Sequence, residues 1–183
     1  MPRPKQPKAP PAAITRESLA KAALSYLNRR DASRNKLRSH LRSWTAKHAP
    51  AEQREAVQTW IDELLLRYQA SNLIDDERLA NNAVRSLRAR GKSARAISHK
   101  LSAQGLEHSS IDAALSAERG ENADSELQAA KALVQKRKLG MFRPEPERSE
   151  KHRKDLAVLA RAGFDFDTCR KALGAGAVGD DEF

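Results

Sequence analysis

The stretch LIDDERLANNAVRSLRARGKSARAISHKL, residues 73–101, decides the fold class. Over its first half, apolar residues recur every three or four positions, which is the spacing of one face of an α-helix. Gly91 ends that helix, since glycine adopts a positive φ without steric cost. Ser93 then caps a second helix, whose inner face carries Ile97 and Leu101. The stretch therefore predicts two amphipathic helices joined by a short basic turn.

Three consecutive acids, Asp75–Glu77, stand where the first of these helices begins. Carboxylates at a helix N-terminus accept bonds from free N–H groups and offset the helix dipole. An acidic cluster can also bind a metal ion or contact a basic partner. Capping is the simpler interpretation, because it explains why the acids stand at this position.

The same pattern occurs three times along the chain. A shift of about 60 residues aligns the first copy with the second, and a shift of about 58 aligns the second with the third. The aligned pairs are Leu27 with Leu87, Arg30 with Arg90, Ser33 with Ser93, Leu37 with Ile97, Leu41 with Leu101, Leu101 with Leu159, Gly105 with Gly163, and Leu106 with Phe164.

Each copy predicts three helices, and a unit this small buries its apolar surface only by stacking on its neighbours. We therefore expect an all-α protein of three tandem three-helix repeats, stacked into an elongated, curved rod. The expected segments are a disordered basic Pro-rich tail over 1–14, triplets over 15–71, 72–120 and 121–173, and a flexible acidic tail over 174–183.

The third triplet follows the repeat pattern more loosely than the other two. Pro144 and Pro146 cannot lie inside a helix without breaking it, so the connection over 141–150 is expected to be the weakest joint.

Basic charge is concentrated near the N-terminus. The formal net charge is +10, and residues 1–48 hold 12 Lys and Arg but only 2 acids. Such an imbalance favours nucleic acid, anionic lipid or an acidic protein as the partner, although a solvated surface is the plainer reading. The single Cys169 and the lack of an apolar run of transmembrane length predict a cytoplasmic protein without membrane contact.

The cations gather at the corresponding turn of each triplet, and we call these clusters the first, second and third basic corners. The first contains Arg29, Arg30, Arg34 and Arg38; the second contains Arg85, Arg88, Arg90, Lys92, Arg95 and Lys100; the third contains Lys136, Arg137 and Lys138. Arg143 follows the third corner a few residues later. If the triplets stack alike, the corners line one side that could follow a phosphate backbone or an acidic groove. Aromatic residues that would stack on bases are missing from them, which argues against sequence-specific reading of single strands.

Catalytic chemistry has little support. The sequence contains no phosphate-binding glycine loop, no His-Glu-x-x-His helix and no nucleophile elbow. The five histidines are scattered, and Cys169 falls on the apolar side of a short helix, where a buried structural thiol is expected. We therefore predict no catalytic residue, no metal site and no cofactor.

Residues 73–101 resemble the central motif of the RecX regulatory proteins. The matching positions are Leu73, Ile74, Asp75, Asp76, Arg78, Ala80, Arg88, Arg90, Gly91, Ile97 and Leu101. LNRRDASRNKLRSHL, from Leu27, is similar to the opening repeat of that family, and LARAGFDFDTCRKAL, from Leu159, is similar to its closing repeat. The likeness covers about residues 15–173.

The resemblance implies a cytoplasmic, non-enzymatic modulator of the RecA recombinase. Such a protein binds RecA and its filament on single-stranded DNA, blocks filament extension, and lowers strand exchange, ATP hydrolysis and co-protease activity. Many family members also bind single- or double-stranded DNA directly, and a monomer is expected. The thirteen corner cations are the expected contacts with RecA or DNA, on the ground of charge placement.

Two alternatives stay open. Short helices with tight turns also occur in stand-alone DNA-binding proteins with helix-turn-helix units, which bind duplex strongly without RecA. The second alternative is an enzyme that uses Cys169 or a histidine. Complete loss of activity on changing Cys169→Ala would support it.

Overall fold

The computed structural model describes residues 13–174, and all the regular structure in this part of the chain is helical. The α-helices are α1 Arg16–Leu27, α2 Arg34–His48, α3 Arg54–Ala70, α4 Asp76–Ala89, α5 Ala94–Ala103, α6 His108–Glu121, α7 Ser125–Arg137, α8 Glu145–Arg161 and α9 Phe166–Leu173. Short 3-10 helices cover Ala51–Gln53 and Gly140–Phe142. The all-α prediction is therefore confirmed. Within the described range, none of the helices has the length and apolarity to cross a membrane.

The predicted helix starts depend on side-chain caps. Thr15 and Ser18 form a reciprocal capping box at α1. The Ser33 hydroxyl accepts a bond from Lys36 N at 3.2 Å, and the Ser93 hydroxyl accepts one from Ala96 N at the same distance. Each cap stabilises its helix by about 1 kcal/mol. The Ser93 cap lies where the sequence predicted it, and Ser33 is its counterpart in the repeat.

Three small hydrophobic cores follow one another along the chain. The first includes Leu19, Leu37, Leu41, Ile61 and Leu65; the second includes Val84, Ile97, Leu101 and Ile111; the third includes Val134, Leu159, Phe164, Cys169 and Leu173. Four of the aligned apolar pairs are buried in both copies: Leu37 with Ile97, Leu41 with Leu101, Leu101 with Leu159, and Leu106 with Phe164. We propose 15–71, 72–120 and 121–173 as the repeat boundaries.

The described part of the chain includes only a few residues of the two expected tails. Ile14, placed in the basic tail by the sequence analysis, is buried in the first core, and its N–H donates to Gln53 Oε1 at 2.8 Å. Residues 1–12 and 175–183, which include most of both expected tails, lie outside the described part of the chain.

The chain divides into two compact units, residues 1–76 and 77–183. The first unit contains α1 to α3, and α2 packs on α3. The second contains α4 to α9, in which α5 packs on α6 and α9 packs on both α7 and α8. The second and third triplets therefore form one unit.

The first N–H of α2 and the first N–H of α5 are each bound by a carboxylate from later in the same unit. Asp76 Oδ1 accepts a bond from Arg34 N, the first N–H of α2, at 2.9 Å. Both carboxylate oxygens of Glu126 accept from Ala94 N, the first N–H of α5, at 3.2 Å. The acids at the start of α4 were expected to cap their own helix. Asp76, the last residue of the first unit, accepts from the first N–H of α2, because the fold brings that N–H to it.

Two glycines allow the second and third triplets to approach closely. Gly91 has φ +73°, and a Cβ there would lie 2.9 Å from Leu133 N on α7. Gly163 has φ +95°, and a Cβ there would lie 2.6 Å from the Ser93 hydroxyl. That hydroxyl donates to the Ala162 carbonyl at 2.6 Å. Each triplet thus presents a glycine turn to the other.

Gly91→Ala is expected to destabilise the second unit by about 1–3 kcal/mol. Alanine at this position would have a strained positive φ, and its Cβ would clash with the backbone of α7. Gly120→Ala is the matched control: Gly120 lies in α6 with no atom within 4 Å of its would-be Cβ. The control should be neutral or stabilise by about 0.5–1 kcal/mol, since alanine favours helix. Urea unfolding of both variants measures the difference, and equal midpoints would contradict the close approach.

A buried carboxylate holds the connection that we expected to be weakest. Asp155 is 1% exposed and accepts bonds from Gly140 N at 2.9 Å and from Arg143 at 2.8 Å. Pro144 and Pro146 both lie at the start of α8, where proline is tolerated. Residues 145–150, which we expected to be part of the connection, instead form the first turns of α8, so the connection is shorter than predicted and Asp155 ties it to the middle of α8.

Candidate anion-binding cleft

The second and third basic corners meet at one cleft of about 590 Å³ in the second unit. It lies where the α4–α5 turn faces the last turns of α7 and α8. Its lining includes five cationic side chains, which we call the cleft cations: Arg90, Lys92, Lys136, Arg137 and Arg161. No acid is among the lining residues in the described part of the chain. Leu133 and Val158 add an apolar surface.

Three helix ends position these charges. α4 ends at Ala89 and Gly91 turns the chain, which projects Arg90 and Lys92 from a short loop. α7 ends at Arg137, followed by Lys138 in the left-handed conformation at φ 52°. α8 ends at Arg161. Cations at helix C-termini offset the dipole, which is a structural reason for their presence; their convergence on one cleft is a property of the tertiary structure.

Arg161 was missed by the sequence analysis. The repeat aligns it with Ala103, so the comparison of copies gave no signal there. Its Nε donates to the Ala157 carbonyl at 3.0 Å, which holds the guanidinium along its own helix. Only the packing of α8 against the α4–α5 turn places it beside the other four.

The remaining members of the second and third corners lie elsewhere. Arg88 is buried, with 7% of its side chain exposed, and pairs with both Glu118 and Glu126. Arg85 is exposed, bonds Glu121 at 3.1 Å and lines a separate cavity of about 440 Å³ that also contains acids. Arg95, Lys100 and Lys138 are exposed but do not line the cleft.

We therefore assign Arg88 a structural role and omit it from the proposed interface. Its Nε bonds Glu118 at 3.2 Å, and a second nitrogen donates to the Lys92 carbonyl at 3.2 Å. Glu118 also accepts from the Ser125 hydroxyl at 3.0 Å. These bonds connect α4, the basic turn, α6 and α7, so a phosphate could reach this guanidinium only after the network opened.

The first corner lies in the first unit. Arg29 donates to the Ser25 hydroxyl at 3.1 Å, and Arg38 pairs with Asp62 at 3.1 Å. Arg34 is half-buried, and its Nε is enclosed without a hydrogen-bond partner. Arg30 lies over the ring of Tyr26, 5.2 Å from its centroid. Arg29 and Arg30 are therefore the exposed charges of this corner.

An aromatic residue does accompany the first corner. Tyr26 stacks on His40 with ring centroids 4.0 Å apart, a contact that the sequence analysis did not foresee. Burial, followed by repulsion from Arg30 and Arg29, lowers the pKa of His40 below its ordinary value of 6.5. The imidazole is thus neutral at physiological pH, and the tyrosine ring is already covered in part.

The Cys169 thiol is buried, and the histidines of residues 13–174 belong to no group that could hold a metal ion. Cys169 is 1% exposed within the third core, and burial raises the pKa of its thiol above the ordinary value. A thiol with a raised pKa is a poor nucleophile at neutral pH. Across residues 13–174, no group of His, Cys, Asp and Glu has a geometry that could hold a metal ion.

Comparisons with known proteins agree on one family. The family model described as RecX, second three-helix domain, matches residues 75–115. Over 170 residues the chain is 35% identical to a protein of Myxococcus xanthus named Regulatory protein RecX, covering 89% of this chain and 88% of that protein.

Two solved structures share the fold. The crystal structure of RecX from Lactobacillus salivarius aligns with a TM-score of 0.64 at 20% identity, covering 87% of this chain and 94% of that one. A second crystal structure, of a regulatory protein RecX, aligns with a TM-score of 0.60 at 22% identity, covering 86% and 73%. Together with the central motif and the tandem triplets, the extent of the match to the Myxococcus protein means that this chain belongs to the RecX family of regulatory proteins.

Proposed function

We propose that this protein binds the RecA recombinase and its nucleoprotein filament on single-stranded DNA, and that it blocks filament extension. Inhibition of recombinase, ATPase and co-protease activity follows from that block, which places the protein in the control of homologous recombination, DNA repair and the SOS response. It acts in the cytoplasm, as a monomer, without a catalytic step.

The basic cleft is the observation that carries this proposal. Five cations around about 590 Å³ form a concave surface that suits a phosphate backbone or an acidic protein groove. Of the thirteen corner cations, Arg90, Lys92, Lys136 and Arg137 become the central contacts, and Arg161 joins them. We propose that Arg95, Lys100 and Lys138 of the second unit also contribute, and that Arg29 and Arg30 of the first unit make a separate contribution to the contact.

A titration of RecA ATPase on single-stranded DNA tests the proposal. The variant R90Q/K92Q/R137Q/R161Q should require roughly tenfold or more protein for half-inhibition, since about 1.4 kcal/mol of lost contact energy has that effect. The matched control is R119Q/R153Q/K154Q/R170Q, which removes four exposed charges that do not line the cleft. The control should stay within about twofold of wild type. If a folded cleft variant inhibits normally, the cleft is not the contact.

The same cleft favours stand-alone DNA binding as the second candidate function. Five phosphate contacts would give a slope of log affinity against log salt of about −4 to −5 on duplex DNA. A protein acting mainly through DNA would change RecA activity only at concentrations that saturate the DNA. Inhibition at concentrations well below saturation supports the RecA contact instead.

A further inference from the structure

The cleft cations lack acidic partners within the described part of the chain. Several other basic side chains of the second unit do pair with carboxylates, among them Arg85 with Glu121 and Arg143 with Asp155. None of the five cleft cations forms an ion pair with a carboxylate of residues 13–174. A concave surface with this much uncompensated charge attracts any nearby acidic segment.

The C-terminal sequence provides such a segment. Residues 175–183 read AGAVGDDEF, with three acids at Asp180, Asp181 and Glu182 and no Lys, Arg or His. Small residues separate these acids from Gly174, so no bulky side chain hinders their approach to a cleft.

The chain leaves α9 close to the cleft. Leu173 lies against Gly140, with its carbonyl oxygen 3.0 Å and its Cα 3.4 Å from the position of a Cβ on that glycine. Gly140 follows Arg137 by three residues, so their Cα atoms are at most about 11 Å apart. From Leu173 to Asp180 the chain can span about 23–25 Å, which is enough to bring the acids to Arg137.

We propose that residues 175–183 dock in the basic cleft through Asp180, Asp181 and Glu182, as an internal competitor for the anion that the cleft binds. Tethering gives the acids an effective concentration in the millimolar range, while three carboxylates contact fewer charges than an extended polyanion would. The contact is electrostatic and weakens with salt. The docking stands apart from the proposed function, and only the competition with nucleic acid rests on it.

A spin label detects the docking directly. In a Cys169→Ala background, Phe183→Cys carries a nitroxide. Amide signals are recorded at about 50 mM salt for residues 90–92, 136–138 and 161, and for Arg3, Lys5 and Lys8. The signals of residues 90–92, 136–138 and 161 should broaden. They should sharpen again when the substitutions D180N/D181N/E182Q are introduced into the labelled protein, or when the salt concentration is raised to about 0.5 M. The absence of broadening, broadening that survives neutralisation, or broadening confined to the basic residues of 1–12 would overturn the docking. Circular dichroism checks that each variant is folded.

Fluorescence anisotropy with single-stranded DNA tests the competition. D180N/D181N/E182Q should bind about threefold to tenfold more tightly than wild type at about 50 mM salt, because the cleft no longer has an internal ligand. The gain should vanish when the cleft cations are replaced by glutamine. Broadening at the cleft without a gain in affinity would support the docking and contradict both the competition and the nucleic-acid assignment of the cleft.

Discussion

Arg88→Ala is expected to destabilise the second unit by about 3–5 kcal/mol, the range for removing one partner of a buried ion pair. The side chain is 7% exposed, and the carboxylates that it neutralises, Glu118 and Glu126, are also largely covered, at 12% and 26%. Without the guanidinium, both acids and the Lys92 carbonyl lose a buried donor. Urea unfolding of the wild type and the variant measures the loss.

Arg85→Ala is the matched control for this prediction. Arg85 lies one turn earlier on the same helix and bonds Glu121, but its side chain is 63% exposed. An exposed pair contributes about 0–1 kcal/mol, so the control should unfold close to the wild type. If the two variants lost equal stability, the burial of Arg88 would not be the cause.

The distinction matters for interpreting binding experiments. A variant that removes Arg88 together with exposed arginines would lose activity through unfolding, even if Arg88 never touched RecA or DNA. The cleft cations are exposed, and their replacement by glutamine should leave the unfolding midpoint nearly unchanged. Stability and inhibition measured on the same variants separate the two roles.

Asp155→Asn is expected to destabilise the second unit by about 2–4 kcal/mol near neutral pH. Asparagine keeps the size of the side chain but removes the charge that Arg143 pairs with, and its amide presents a donor to the buried Gly140 N–H or to the guanidinium. Asp167→Asn is the control, because Asp167 forms an exposed pair with Lys171 within α9. That substitution should cost less than about 0.5 kcal/mol.

The stabilisation by Asp155 should depend on pH. Hydrogen bonds from Arg143 lower the pKa of this carboxyl below its ordinary value of 3.8. A carboxylate whose pKa is lowered by folding contributes its full stabilisation above the unfolded-state pKa. That contribution is lost as the pH falls through the folded-state pKa. The difference between wild type and D155N should therefore be constant from about pH 5 to 7 and shrink below about pH 4. A difference independent of pH down to pH 2.5 would contradict the ion pair.

The spacing of apolar residues and the capping residues at helix ends were sufficient to predict the helices from the sequence. Ser33 and Ser93 cap their helices as predicted, and Leu101 and Leu159 occupy equivalent buried positions in two triplets. These features depend on residues within a few positions of one another, which the linear order displays. The repeat gave independent support for these helices, because the same local signals recur at about the same interval along the chain.

The candidate site depended on contacts between distant residues. Arg88 belongs to a basic run and gave the same sequence signal as Arg90, yet one is buried between two acids and the other lines the cleft. Asp155 gave no signal at all, since its partners come from a connection 12 and 15 residues earlier.

The sequence by itself determined which residues form helices, where the helices begin, and that positive charge recurs at one turn of each triplet. Only the tertiary structure decided which of those charges are neutralised and which converge on one cleft. The physical reason is that helix formation and capping depend on near neighbours, whereas the environment of a charge depends on whichever side chains packing brings to it, and acids from other helices reach Arg88 but not the cleft.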